Sequence, residues 1–166
     1  MFETFTADAR EGIQGAQREA RSMGHETVEI EHLLLGLLGG QDEIVNQALT
    51  DFGLAVQPAR EVVRQRLGVG PGTITDGRLA FSQATKDAIM SAYRFGMGKP
   101  GAAHLLIVLT RRGEGGASEV LAALGVDPNQ VRADAKKRAF PREQPGPSLR
   151  AVGHTGILED LDFGNL

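Results

Sequence analysis

The sequence has no cysteine, which excludes disulfides, thiolate metal sites and a thiol nucleophile. It has no tryptophan, one tyrosine and only 5% aromatic residues, too few for the stacking platforms that hold single-stranded nucleic acid. The net charge is only −3. No global field therefore draws the chain to nucleic acid or to an anionic membrane, and neither is expected as a partner. No apolar run approaches the roughly 20 residues of a membrane helix. The opening MFETFTADAR carries acids and lacks a long apolar stretch, so no signal peptide is expected. A water-soluble, cytoplasmic chain fits these absences. No Gly-x-x-x-x-Gly-Lys-Ser/Thr loop is present, so no phosphate-binding ATPase module is expected. The four histidines do not suit zinc either: after His25-Glu26, Glu29 stands where a His-Glu-x-x-His site needs its second histidine. No cofactor is expected.

What the chain does have is length for one buried core and 22 glycines that fall mainly at segment ends, where glycine terminates helices. Thr6 is a good N-cap, with Phe2 and Phe5 placed to staple the helix start. Ala9, Ile13, Ala16 and Ala20 then recur at helical spacing to about Met23, giving a narrow face of small residues that permits close packing. Glu29 to Leu38 is apolar nearly all round past His32 and is expected to be buried on most sides. Helices follow over Glu43 to Phe52, from Pro58 to Leu67, and from Pro128 to about Arg138. No strand is expected.

The pattern occurs twice. Phe81-Ser82 matches Phe5-Thr6 at 81 − 5 = 76, as do Ile89 with Ile13 and Ala92 with Ala16. His104 matches His32 at 104 − 32 = 72, as do Leu121 with Leu49 and Gly125 with Gly53. The drop from 76 to 72 places a four-residue loss in the connector before the second histidine. The expected architecture is all-α: eight helices in two four-helix repeats about a pseudo-twofold axis. Repeat one is 1–68, a Gly-rich linker 69–80, repeat two 81–140, and 141–166 a flexible tail or linker with no helical period.

Met1-Phe2-Glu3, Phe5-Thr6, Ala9-Arg10, Ala16-Gln17, Glu19-Ala20-Arg21, Gly24-His25 and Glu31-His32-Leu33-Leu34-Leu35-Gly36-Leu37 resemble the N-terminal repeat domain of Clp unfoldases of the ClpC type. The resemblance covers about 1–138, closely in the first half and loosely in the second. It implies a non-catalytic module that binds peptides, substrates and adaptor proteins for a hexameric AAA+ ATPase and the ClpP peptidase. It also implies recognition of phosphorylated arginine, with the Glu of each Glu-His holding the guanidinium and the helix start after Phe-Thr helping to hold phosphate. In actinobacterial members the same surface binds cyclic peptide antibiotics. By position, the resemblance assigns Glu31 to the first guanidinium site, Thr6 and Ser82 to the helix starts, and Phe2, Arg10, Gln17, Phe81 and Lys86 to the peptide surface. Ala103 replaces the second Glu. The closing Leu161-Asp162-Phe163-Gly164-Asn165-Leu166 faintly resembles the opening of the ClpC ATPase module, and a stand-alone domain is the expectation.

The residues alone also carry plainer readings. Glu31 is an acid at a helix front, favoured by the dipole. Thr6 and Ser82 are N-caps. Lys86 and Arg10 are solvated charges. His32 and His104 are structural imidazoles hydrogen-bonded to carbonyls. A hydrolase built from Glu31, His32, His25 and Asp42 has no nucleophile, base and orienter at workable spacing. A third reading makes the protein a stand-alone decoy, or a regulator of ClpC assembly acting through its tail.

Overall fold

The computed structural model describes residues 2–72, 77–111 and 115–141. A 3-10 turn at Phe2–Thr4 leads into eight helices: α1 (Ala7–Ser22), α2 (Ile30–Leu38), α3 (Glu43–Asp51), α4 (Val56–Leu67), α5 (Gln83–Phe95), α6 (Ala102–Leu109), α7 (Gly116–Ala123) and α8 (Pro128–Ala139). The helix starts follow local chemistry. The side chains of Thr6, Asp42, Ser82 and Asp127 accept backbone N–H groups of the first turns of α1, α3, α5 and α8, which satisfies donors the helix leaves open. The all-α, eight-helix expectation holds, and only the expectation of no strand needs correcting. Two-residue strands β1 (Thr27–Val28) and β2 (Ala80–Phe81) pair in parallel, Thr27 with Ala80 and Val28 with Phe81. Strands this short carry no periodic signal.

The two offsets reappear in three dimensions. Ile30 and Ala102 open α2 and α6, Val56 and Pro128 open α4 and α8, and each pair is 72 apart. The four-residue loss lies mostly elsewhere than expected. α1 has 16 residues and α5 has 13, so three of the four go from the end of the helix, and the connector loses only one. The repeats are also stitched to each other reciprocally. Thr6 N–H donates to the Pro100 carbonyl at 3.0 Å, and Ser82 N–H to the Val28 carbonyl at 3.1 Å. Thr6 and Ser82 are 76 apart, Val28 and Pro100 are 72 apart. The same bond is thus made twice, each time from one repeat's helix start to the other repeat's connector.

One hydrophobic core runs through both repeats, from Leu33, Leu34, Leu35 and Leu37 to Leu105, Ile107, Leu109 and Leu121, all almost fully buried. α1 lies directly against α2. A Cβ added at Gly36 would sit 2.2 Å from the Gly12 carbonyl oxygen and 2.4 Å from Ala16 N. Glycine at 36 is what lets the two backbones meet. The equivalent position in α6 is Val108, so this contact belongs to repeat one alone.

The chain between repeats is bound down at both described ends. Gly70 N–H donates to Met23 O at 2.9 Å and Gly72 N–H to Gly24 O at 3.1 Å. The Gln17 carboxamide then takes Leu79 from both sides: its Nε2 donates to Leu79 O and its Oε1 accepts from Leu79 N–H, each at 2.9 Å. Arg21 donates to Gly77 O. Residues 77–81 therefore run along α1 before α5 begins. The tail expected over 141–166 lies, apart from Pro141, outside the described residues, as does the sequence Leu161 to Leu166.

Candidate functional site

α1 presents Arg10, Ile13, Gln14 and Gln17 along one stripe, at spacings of three and four that put them on a single helix face. Against this stripe stand Phe2 and Glu3 from the opening turn, and Arg78 and Phe81 from the segment that enters repeat two. Together these eight residues line a cleft of about 200 Å³. Its apolar wall is built by the rings. Phe5 is 3% exposed and fills the core, whereas Phe2 is only half-buried, with its centroid 5.9 Å from both Phe5 and Phe81. Phe5 is thus the staple, and Phe2 carries aromatic contact across to the second repeat. Ile13 forms an apolar part of the lining, and the exposed Arg10 and Arg78 add positive charge opposed by Glu3. The chemistry of this lining suits an apolar side chain with a negative group beside it.

Of the residues assigned by resemblance, Phe2, Arg10, Gln17 and Phe81 are brought together in this cleft. Thr6 and Ser82 do not line it. Thr6 Oγ1 accepts from Ala9 N–H at 3.3 Å, and Ser82 Oγ from Thr85 N–H at 3.3 Å. Lys86 is exposed on α5, one turn beyond Ser82, and also stands outside the lining. Glu3, Gln14 and Arg78 were missed by sequence reasoning, and Ile13 was read only as core. The spacing 10, 13, 14, 17 was the available signal for the α1 members. Arg78 had none, because its place depends on Gln17 holding Leu79.

Glu31 stands elsewhere, at the front of α2, where α4 and α7 approach. It is 7% exposed. Its carboxylate lies 3.7 Å from the Arg66 guanidinium of α4, which also pairs with Glu119 of α7. Gly116 lies against the carboxylate: a Cβ there would come within 1.7 Å of Glu31 Oε1. At the equivalent place in repeat two, Ala103 is buried and offers no acid.

The histidines cap helices, and they do so through backbone amides rather than through the carbonyl partners expected. His32 Nδ1 accepts from Glu29 N–H at 2.9 Å, and His104 Nδ1 accepts from Gly101 N–H at 3.0 Å. That acceptor role leaves the proton of neutral His32 on Nε2, which points at His25 Nδ1, 2.8 Å away. His25 Nε2 in turn reaches the Gly68 carbonyl at 2.9 Å. The series works only with both rings neutral. Burial, then the charge of a protonated His25, push the His32 pKa down to about 4, partly offset by Glu19. Burial also lowers His104, with Asp42 opposing. Repeat two has Gly98 in place of His25, each donating its backbone N–H to the equivalent carbonyl of the preceding helix, and there His104 is flanked by Phe95 and Phe140, with ring centroids 5.3 and 5.4 Å away. Among the described residues no three acidic or histidine side chains cluster as a metal site would require, and no helix is long and apolar enough to cross a membrane.

Comparison with known proteins matches residues 4–96 to the Clp repeat (R) N-terminal domain family. The chloroplastic chaperone protein ClpC1 of Oryza sativa subsp. japonica is 36% identical over 157 residues, covering 92% of this chain and 16% of the relative. Chloroplastic ClpC1 of Arabidopsis thaliana is 38% identical over 136 residues, covering 80% of this chain and 14% of the relative. The chain thus spans about one-sixth of the length of the curated relatives it matches. Among solved structures, the N-terminal domain of the chaperone ClpD from Arabidopsis thaliana superposes with a TM-score of 0.70 at 28% identity, covering 84% of this chain and 96% of that one. The Hsp104 N-terminal domain from Candida albicans superposes at 0.67 over 82% of this chain and 91% of that one, at 13% identity, a likeness of fold.

Proposed function

This chain belongs to the Clp repeat (R) N-terminal domain family, and on that premise we propose that it is a non-catalytic peptide-binding domain that receives substrates or adaptor proteins for a ClpC-type ATPase and its ClpP partner. The observation that supports this most is the cleft lined by Phe2, Arg10, Gln17 and Phe81. It draws on residues from the start of both repeats, and its floor is α1, the helix held backbone to backbone against α2. An apolar peptide side chain fits against the wall that the two phenyl rings form together, with Arg10 and Arg78 holding a neighbouring acid or phosphate. The same chemistry suits the cyclic peptide antibiotics known to bind actinobacterial members of the family.

Recognition of phosphoarginine is a separate part of the proposal, resting on Glu31. A buried carboxylate suits a guanidinium because it accepts two parallel hydrogen bonds, and a guanidinium of this chain already stands beside it. With Ala103 in the second repeat, one such site per chain is expected. Calorimetric titration of an unstructured polypeptide, with and without arginine phosphorylation, tests both parts. Phe81→Ala should weaken both forms by roughly tenfold or more, as loss of a central aromatic anchor does. Glu31→Gln should remove only the advantage of the phosphorylated form. No binding of either form to the wild-type protein would overturn the proposal.

A further inference from the structure

Arg66 holds an unequal position between two acids. It makes its close ion pair with Glu119, which is exposed, and stands 3.7 Å from Glu31, whose side chain is only 9% exposed. Among the described residues no hydrogen bond to the Glu31 carboxylate accompanies that contact. A buried carboxylate gains most from a partner at hydrogen-bond distance, and the nearest cation is held back from it by a second acid. Repeat two shows the same arginine without the buried acid. Arg138, 72 residues after Arg66, pairs with Asp134 and with Asp51 of α3, while the buried Ala103 offers no carboxylate. The two arginines thus each bridge to the neighbouring repeat, and only Arg66 has a buried carboxylate within reach.

We propose that Arg66 is an internal competitor for Glu31: a ligand guanidinium occupies the carboxylate only by displacing Arg66, and Glu119 sets how readily Arg66 yields. This rests on the proposed guanidinium-binding role of Glu31 and adds its regulation. When a ligand enters, Arg66 gives up its looser contact with Glu31 and keeps its close pair with Glu119. Weakening the Glu119 tether therefore returns Arg66 to Glu31 and closes the site, whereas removing Arg66 opens it. The two ends of one ion pair have opposite effects, which a merely structural salt bridge does not produce.

The test is calorimetric titration of free phosphoarginine into the intact wild-type chain, Arg66→Ala and Glu119→Gln, with thermal melts of each. Both substitutions are at partly or largely exposed side chains. Arg66→Ala should tighten binding by about two- to fivefold, the range set by the worth of an exposed ion pair, and Glu119→Gln should weaken it by a similar factor. Wild-type binding that weakens or stays unchanged in Arg66→Ala would overturn the inference and leave the Glu31 site standing, with Arg66 then an anchor for phosphate or a bystander. No binding by either the wild type or Arg66→Ala would remove the Glu31 site itself, and the inference with it.

Discussion

Gly36 and Gly53 show how differently two glycines in one helical repeat are used. At Gly36 a methyl group would meet the backbone of Gly12 and Ala16, and backbone cannot move aside as a side chain can. Gly36→Ala should therefore cost about 3 kcal/mol or more in urea denaturation. At Gly53 the space is open but φ is +64°. Gly53→Ala should cost only about 1 kcal/mol, from backbone conformation alone. Equal losses at the two sites would contradict the backbone contact. His32 gives a prediction in pH. Its folded-state pKa, about 4, lies below the ordinary 6.5, so the unfolded chain binds the proton more tightly. Stability is fully present above about pH 6.5 and is lost as the pH falls toward 4. The loss amounts to about 3 kcal/mol at most, and His104 acts in the same direction. Denaturation midpoints at pH 7, 5.5 and 4.5 check this, and a His32→Asn variant should flatten the slope. A wild-type stability that stays level through the window would exclude the neutral His32–His25 series.

Among the elements, α2 was the most legible in the sequence. An apolar run with a polar front has one stable place, and Ile30 through Leu38 are all buried. Leu34→Ala should cost about 2–5 kcal/mol, and a melting shift no larger than that of a surface variant would contradict its core position. The doubled helix pattern was equally plain, because Phe-Thr/Ser starts and the histidines repeat at fixed distances. Less legible was the segment between repeats. Glycines and an absent period describe a connector, yet they do not tell a loose one from one held by Gln17, whose carboxamide copies a strand's donor and acceptor. The length of α5 was hidden for a related reason. A four-residue shift between matched residues does not say where inside the interval it falls. Hydrogen exchange tests the element directly: the Leu79 amide should exchange slowly in the wild type and fast in Gln17→Ala, with the α2 amides unchanged. Fast exchange at Leu79 in both would show that the clasp does not hold in solution.

At the scale of the whole molecule, the cleft is a product of the duplication. Neither repeat supplies both phenyl rings, and the reciprocal bonds from Thr6 to Pro100 and from Ser82 to Val28 fix the two helix starts against each other. The cleft residues on α1 were half-visible in the sequence as a helix face. The resemblance placed Phe81 on the same surface as Phe2, but residue patterns alone did not, and Arg78 was not visible at all, because chain order does not reveal which repeat's start meets which connector. On the proposed function, this shared surface is one peptide-binding site. Its most direct measurement is calorimetric titration of an unstructured polypeptide into the wild-type protein and into Phe81→Ala, with a circular-dichroism melt confirming that the variant is folded. About one site per chain is expected, with roughly tenfold or greater weakening in the folded variant. Undiminished affinity in a folded Phe81→Ala would contradict this reading.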